Sequence, residues 1–159
     1  TTSCTHTLLF ETGGDILTPE NREKYKQLKI MDITQWLKEV VLPRIKVIRP
    51  KNRILLHPTC SCQIMGLTPV LLDIARKCAR EVILPDNWGC CGASGDRGFI
   101  FPELSDSATR DERDEIGHES FDGCYSLART CEIAMQDHIE QPYESIVYLV
   151  DETIQDQGT

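Results

Sequence analysis

Adjacent cysteines followed by a glycine stand at Cys90, Cys91 and Gly92, inside the glycine-rich run DNWGCCGASGDRG. Neighbouring side chains on an extended backbone point to opposite sides, so a tight glycine turn is needed for both thiols to reach one centre. Gly89, Gly95 and Gly98 flank the pair. Together with Gly92 they would let backbone amides approach sulfide or thiolate and donate hydrogen bonds that tune a redox centre. Cys60 and Cys131 stand apart from this loop, and three segments thus supply four candidate thiolate ligands: Cys60, Cys90, Cys91 and Cys131. Cys62 and Cys124 are reserve ligands. His57, just before the Cys60 loop, could serve as a ligand, as a hydrogen-bond donor behind one, or as a structural histidine.

Three chemistries suit such a set. An iron–sulfur site uses thiolates from separate loops. Structural zinc more commonly shows paired CxxC or CxxH knuckles, whereas this chain has CxC, CC and isolated cysteines. Buried or disulfide-linked cysteines are the third reading, and Cys78, on the apolar face of a helix, reads as core. Trp88 could close over the site, and Asp96 and Arg97 could close its loop through an ion pair. His6, His118 and His138 belong to no visible constellation. Nucleotide-binding, hydrolase and zinc-protease motifs are missing.

Composition narrows the classes. With 159 residues, 40% of them hydrophobic, the chain suits one domain with its own core. A formal charge of −8 argues against nucleic acid, which requires a basic face to displace counterions. No apolar stretch reaches the roughly 20 residues of a membrane-spanning helix. No signal-peptide pattern opens the chain, so its eight cysteines read first as metal or redox groups of a reducing compartment. The expected location is cytoplasmic, with any attachment to the inner membrane made through partners. The opening TTSCTHTLL, without an initiator methionine, reads as a cut end of a longer polypeptide.

The elements that must position these thiols alternate in type. Residues 53–57 (RILLH) form a short buried strand ending at Pro58, and residues 81–85 (EVILP) a second. Residues 121–128 could be a third. Between them, TPVLLDIARKCAR reads as a helix capped by Thr68 with Pro69 at its first position. A polar helix follows around 105–116, and one capped by Thr130 carries Cys131, Ala134, Met135 and His138. Upstream, Gly13 and Gly14 mark a loop, ENREKYKQLKI a polar helix and RIKVIRPKN a linker. DITQWLKEVVLP is an amphipathic helix with Asp32 and Gln35 in capping-box positions and Ile33, Trp36, Leu37, Val40 and Val41 on one face. YESIVYLVDETI fits strand or helix, with its apolar spacing favouring helix. The expected fold is a layered α/β unit whose mainly parallel sheet is flanked by helices, preceded by an N-terminal helical connector. Cys60 and Cys62 would follow the first strand, Cys90 and Cys91 the second, and Cys131 the third. All would then gather at the carboxyl edge, where open parallel sheets bind ligands.

These motifs resemble the cysteine-rich CCG domain found in heterodisulfide reductase, in the glycolate oxidase iron–sulfur subunit and in lactate-utilisation proteins. That pattern runs as a strand ending in HDPC, then CCG, then a closing cysteine or CxxC, and is normally present twice. Here His57-Pro58-Thr59-Cys60, Cys90-Cys91-Gly92 and Cys131 stand in those places. The runs HPTCS, DNWGCCGASGDRG, PELSDSATR, RTCE and PYES are also similar to the C-terminal part of long FAD-linked D-lactate dehydrogenases. The resemblance implies that residues 1–52 are the tail of a preceding repeat plus a helical connector, with Cys4 belonging to the preceding repeat's cluster. Residues 53–159 would be the CCG-type domain. It further implies an iron–sulfur cluster of 4Fe-4S type on Cys60, Cys90, Cys91 and Cys131, with Gly92, Gly95 and His57 lining it. The FAD, and the domain that oxidises the hydroxyacid, would lie outside this chain. Electrons would pass from that flavin domain through the cluster to a quinone, cytochrome or protein acceptor. RTCE offers one cysteine where heterodisulfide reductase has CxxC, so that enzyme's noncubane cluster does not simply carry over. Two rival functions suit the same residues: a thiol–disulfide catalyst using Cys90 and Cys91 or Cys60 and Cys62, and a zinc-stabilised docking module with an acidic surface.

Overall fold

Ile54, Leu55 and Leu56 are three consecutive, completely buried residues, which only a strand covered on both faces accommodates. They close β1 (Lys51–Leu56), which pairs in parallel with β2 (Ala79–Ile83) on one side and β3 (Gly123–Ser126) on the other. Ile54 stands opposite both Val82 and Gly123. A fourth strand, β4 (Tyr143–Ser145), pairs in parallel with β3, Cys124 opposite Tyr143, and the sheet order is β2-β1-β3-β4. The computed structural model describes residues 1–2, 4–6 and 16–154. The expected Gly13-Gly14 loop and the last five residues of the expected 53–159 domain lie outside them.

Period-two alternation divides the core between the sheet's faces. Ile54, Leu56 and Tyr125 pack in one cluster with Leu71, Ile74, Ala75 and Cys78 of α4 (Thr68–Cys78) and Ile146, Leu149 and Val150 of α8 (Ile146–Thr153). Leu55, Cys124 and Tyr143 pack in the other with Ile116 of α6 (Pro102–Ile116) and Cys131, Ala134 and Met135 of α7 (Arg129–Ile139). The expected layered α/β fold with a parallel sheet between helices is therefore the observed one.

Several local expectations shift. YESIVYLVDETI is both alternatives in succession, a three-residue strand followed by a helix that Ser145 caps through the Val147 amide. Thr68 is the first residue of α4 rather than its cap, and Thr130 lies inside α7, whose cap position is Ala128. Upstream, α1 (Pro19–Lys26) is polar with no buried residue. Asp32 does cap α2 (Ile33–Trp36), accepting from the Thr34 amide at 2.7 Å. The helix then runs into a π turn over Leu37–Val41 and a 3-10 turn over Leu42–Arg44. The wider turn brings Leu42, five residues on, to the side of Leu37: Thr34, Leu37 and Leu42 go inside, while Trp36 is 41% exposed. Leu37 and Leu42 join the same core as Ile54 and Leu71, so this connector packs on the sheet. Among the described residues no helix is long and apolar enough to cross a membrane.

Candidate metal centre

The three adjacent strands β2, β1 and β3 each release a cysteine-bearing segment at the carboxyl end. After β1, Pro58 and Thr59 lead into α3 (Cys60–Ile64), with the Thr59 hydroxyl capping the Cys62 amide at 3.2 Å. After β2 the chain crosses Pro85 and Trp88, the latter half-buried, to Cys90 and Cys91. Glu115 of α6 holds the start of this loop by accepting from the Asp86 amide at 2.7 Å and the Asn87 amide at 2.8 Å. Those two bonds keep its carboxyl below the usual range. After β3, Leu127 and Ala128 lead into α7 and Cys131.

The four thiols meet. As free thiols, Cys60 hydrogen-bonds to Cys90 and Cys90 to Cys91, and Cys91 donates to Cys131 with the two sulfurs 3.0 Å apart. The Gly92 amide donates to the Cys90 sulfur at 3.4 Å. The series is graded in exposure: Cys91 and Cys131 are each 4% exposed, Cys60 is half-buried and Cys90 is open to solvent. Donation to Cys131, together with burial, pushes the Cys91 thiol up to about 12, the bond from Cys90 opposing it. Donation to Cys91 and burial raise Cys90 as well. Both are therefore protonated thiols at neutral pH in the absence of a metal.

The glycines serve the loop in distinct ways. Gly92 has φ +73°, and a Cβ there would stand 2.6 Å from both the Leu104 oxygen and the Ser105 Cα. Its lack of a side chain lets the cysteine turn press against the start of α6. A Cβ on Gly98, in the short helix α5 (Arg97–Ile100), would meet the Ser105 Oγ at 2.5 Å and the Ala93 Cα at 2.8 Å. Gly95 has φ +76° but opens on free space. Asp96 and Arg97 are exposed, and no ion pair joins them among the described residues.

The remaining cysteines separate by position. Cys62 is buried in the α4-side core with Leu71, its thiol raised to about 12 by burial, with a Thr68 hydrogen bond opposing. Cys78 lies in that same core. Cys124 shares the opposite core with Cys91 and Cys131, but its sulfur has Gln141 Oε1 at 3.9 Å as its contact, and burial lifts it to about 12. Cys4 packs against this second core, its sulfur accepting from the Ser61 hydroxyl at 3.2 Å.

His57 is fully buried with Nδ1 2.9 Å from Glu112 Oε2. Sequence reading missed Glu112, because α6 reads as a surface helix rich in charge. The available signal was Ser105, Thr109, Glu112 and Ile116 at helical spacing, the four residues α6 buries.

As donors, the four thiols match the chemistry of an iron–sulfur cluster. Their spacing is contracted: even around a single tetrahedral metal, bonds of about 2.3 Å set sulfurs about 3.8 Å apart, and in a 4Fe-4S cluster each thiolate takes its own iron and stands farther off, whereas Cys91 and Cys131 are 3.0 Å apart. Among the described residues no group of three or more His, Cys, Asp or Glu side chains encloses a place for an ion. Loading would therefore spread the thiols. No family model and no curated protein matches the chain.

Proposed function

We propose that this chain is the iron–sulfur electron-transfer module of a flavin-linked 2-hydroxyacid dehydrogenase, with D-lactate as the whole enzyme's substrate. One observation carries the iron–sulfur part: thiols from three separate segments, Cys60, Cys90, Cys91 and Cys131, converge on the carboxyl edge of a parallel sheet. A 4Fe-4S cluster, when bound, takes up and releases single electrons. Cys91 and Cys131 would hold it on the apolar side, where low dielectric strengthens the hydrogen bonds that tune it. The Gly92 amide donates toward the Cys90 sulfur, and the exposed Cys90 marks the side open to a partner. The flavin donor, the hydroxyacid and the quinone, cytochrome or protein acceptor follow from the motif resemblance, as does a cytoplasmic location with membrane attachment through partners.

The raised thiols of Cys90 and Cys91 weigh against thiol–disulfide catalysis, because exchange catalysts need a depressed thiol pKa. A metal instead displaces the protons as it binds. The 3.0 Å Cys91–Cys131 contact is what favours the thiol alternative, which requires a reversible change in thiol count without iron.

The test is anaerobic purification followed by iron and sulfide analysis and a visible spectrum. Broad absorbance that bleaches with dithionite and disappears in Cys91→Ser is the expected result. A chain of native fold that holds neither iron nor sulfide after anaerobic reconstitution would overturn the proposal.

A further inference from the structure

Phe99, Ile100, Phe101 and Leu104 are 46%, 65%, 51% and 44% exposed, four large apolar side chains open to solvent on one short segment. Backbone bonds fix that segment. The Phe99 amide donates to the Asp96 carbonyl at 3.1 Å, the Phe101 amide to the Arg97 carbonyl at 2.8 Å and the Leu104 amide to the Phe101 carbonyl at 3.0 Å, so α5 and the start of α6 present all four. The same segment backs the cysteine turn. The Gly98 amide donates to the Ala93 carbonyl at 2.8 Å, and a Cβ on Gly92 would stand 2.6 Å from the Leu104 oxygen. Cys90, the exposed thiol of the four, lies two residues before that glycine.

The charge along α6 indicates what would cover these residues. Asp111 follows Leu104 by seven residues and Asp114 follows Glu103 by eleven, spacings that keep each pair on one face of a helix. Glu103, Asp111 and Asp114 are exposed and in no ion pair among the described residues, whereas Arg110 and Arg113 both turn to Asp106. Asp96 and Arg97, at the other border, offset each other. The apolar patch therefore has an acidic flank, which repels an anionic lipid surface and attracts a basic protein. Its area points the same way. With roughly 200 Å² for a whole aromatic side chain, the four residues expose on the order of 400 Å², about half of the roughly 800 Å² that a stable interface takes from each partner. Electron-transfer encounters lie at that low end, below permanent dimers.

We propose that this patch is the docking surface for a small redox protein whose cofactor edge is apolar and ringed by basic side chains. The inference rests on the iron–sulfur reading above, and narrows the acceptor to a protein that approaches over Phe99, Ile100, Phe101 and Leu104. Apolar contact excludes water beside the cysteine turn, and the acidic flank of α6 steers the partner.

Cytochrome c, a basic protein with an exposed haem edge, is the probe, titrated into the chain by calorimetry. Binding should saturate at an ionic strength of about 0.01 M and weaken at least about tenfold at about 0.15 M, as screening shortens the reach of the charges. Ile100→Ser, which spares the core, should weaken it at least about tenfold at the lower salt. Leu28→Ser, at an equally exposed apolar position (64%) in the N-terminal part, should bind as the parent does. No binding at low salt, or equal binding by Ile100→Ser, overturns the proposal. Sedimentation of the chain alone and flotation with phosphatidylserine vesicles read the other occupants: self-association or vesicle binding that Ile100→Ser abolishes would give the patch to a second copy or to lipid, and also overturn it. Iron and sulfide analysis of the same samples separates the two readings. An iron-loaded chain that ignores cytochrome c keeps the centre and loses the docking surface; docking through the patch by a chain that binds no iron and sulfide keeps the surface and removes the cluster behind it.

Discussion

His57 and Glu112 form a buried pair, the imidazole Nδ1 2.9 Å from the carboxylate Oε2 and its Nε2 without a hydrogen-bond partner among the described residues. The pairing joins the end of β1, three residues before Cys60, to α6, whose start braces the cysteine turn at Gly92. A carboxylate acceptor makes Nδ1 the donor and leaves the lone pair on Nε2, the arrangement that fixes an imidazole's tautomer and orientation.

Removing the carboxylate leaves a buried Nδ1–H unsatisfied. Glu112→Ala is expected to destabilise the iron-free chain by about 3 kcal/mol, and Glu112→Gln, which retains an acceptor, by about 1 kcal/mol. Urea unfolding followed by circular dichroism measures both. Equal, small losses for the two variants would show that the pair carries little of the stability.

Gly92 and Gly95 share a positive φ but differ in surroundings, which separates conformational strain from crowding. Gly95→Ala meets open space and should cost about 1 kcal/mol, the left-handed backbone alone. Gly92→Ala adds a clash with the α6 backbone and should cost about 3 kcal/mol, and it should lower iron retention by displacing Cys90 and Cys91. Unfolding midpoints and iron content of the two variants decide; identical behaviour would rule out the bracing role of α6.

How far the site could be read from sequence follows from which interactions are local. RILLH was legible because a short apolar run bounded by turn residues has few alternatives, and the thiols inherit their edge from the strand ends. The 3.0 Å approach of Cys91 to Cys131 was not legible, since it depends on β1 lying between β2 and β3, and strand order is set by long-range packing. β4 was legible only as an alternative, because Tyr143–Ser145 runs without a break into α8 and the run reads as one element of either type. Glu112 was hidden because a carboxylate amid Asp111, Arg113, Asp114 and Glu115 looks solvated until a buried partner is known. The Trp36 error has a similar origin: the buried face of this helix is set by Thr34 and Leu37, and the π turn that follows brings Leu42 inside with them, a choice made by packing on the sheet.

Cysteine substitutions should divide by location. Cys62→Ala and Cys124→Ala remove sulfur from tightly packed cores and should cost about 1–2 kcal/mol each, while leaving iron and sulfide content unchanged. Cys131→Ser should lose iron and sulfide with a smaller effect on the unfolding of the iron-free chain. Metal analysis beside urea unfolding makes the comparison, and loss of iron in Cys124→Ala would move that residue into the ligand set.

Alkali should test the buried thiols of the iron-free chain. Burial raises Cys62 and Cys124 to about 12, above the ordinary thiol value of about 8.5. In the unfolded chain these thiols ionise first, so the unfolded state binds fewer protons as pH rises. Their stabilising effect is therefore full below about pH 8.5 and is lost progressively toward pH 12. Unfolding free energy measured from about pH 7 to about pH 10 should fall in the upper part of that range for the parent. In Cys124→Ala, which has one titrating thiol fewer, the fall should be shallower, and the difference isolates this thiol from tyrosine and lysine titration. Parallel curves for the two chains would mean that Cys124 ionises as readily in the fold as outside it, contrary to its burial in the core beneath α7.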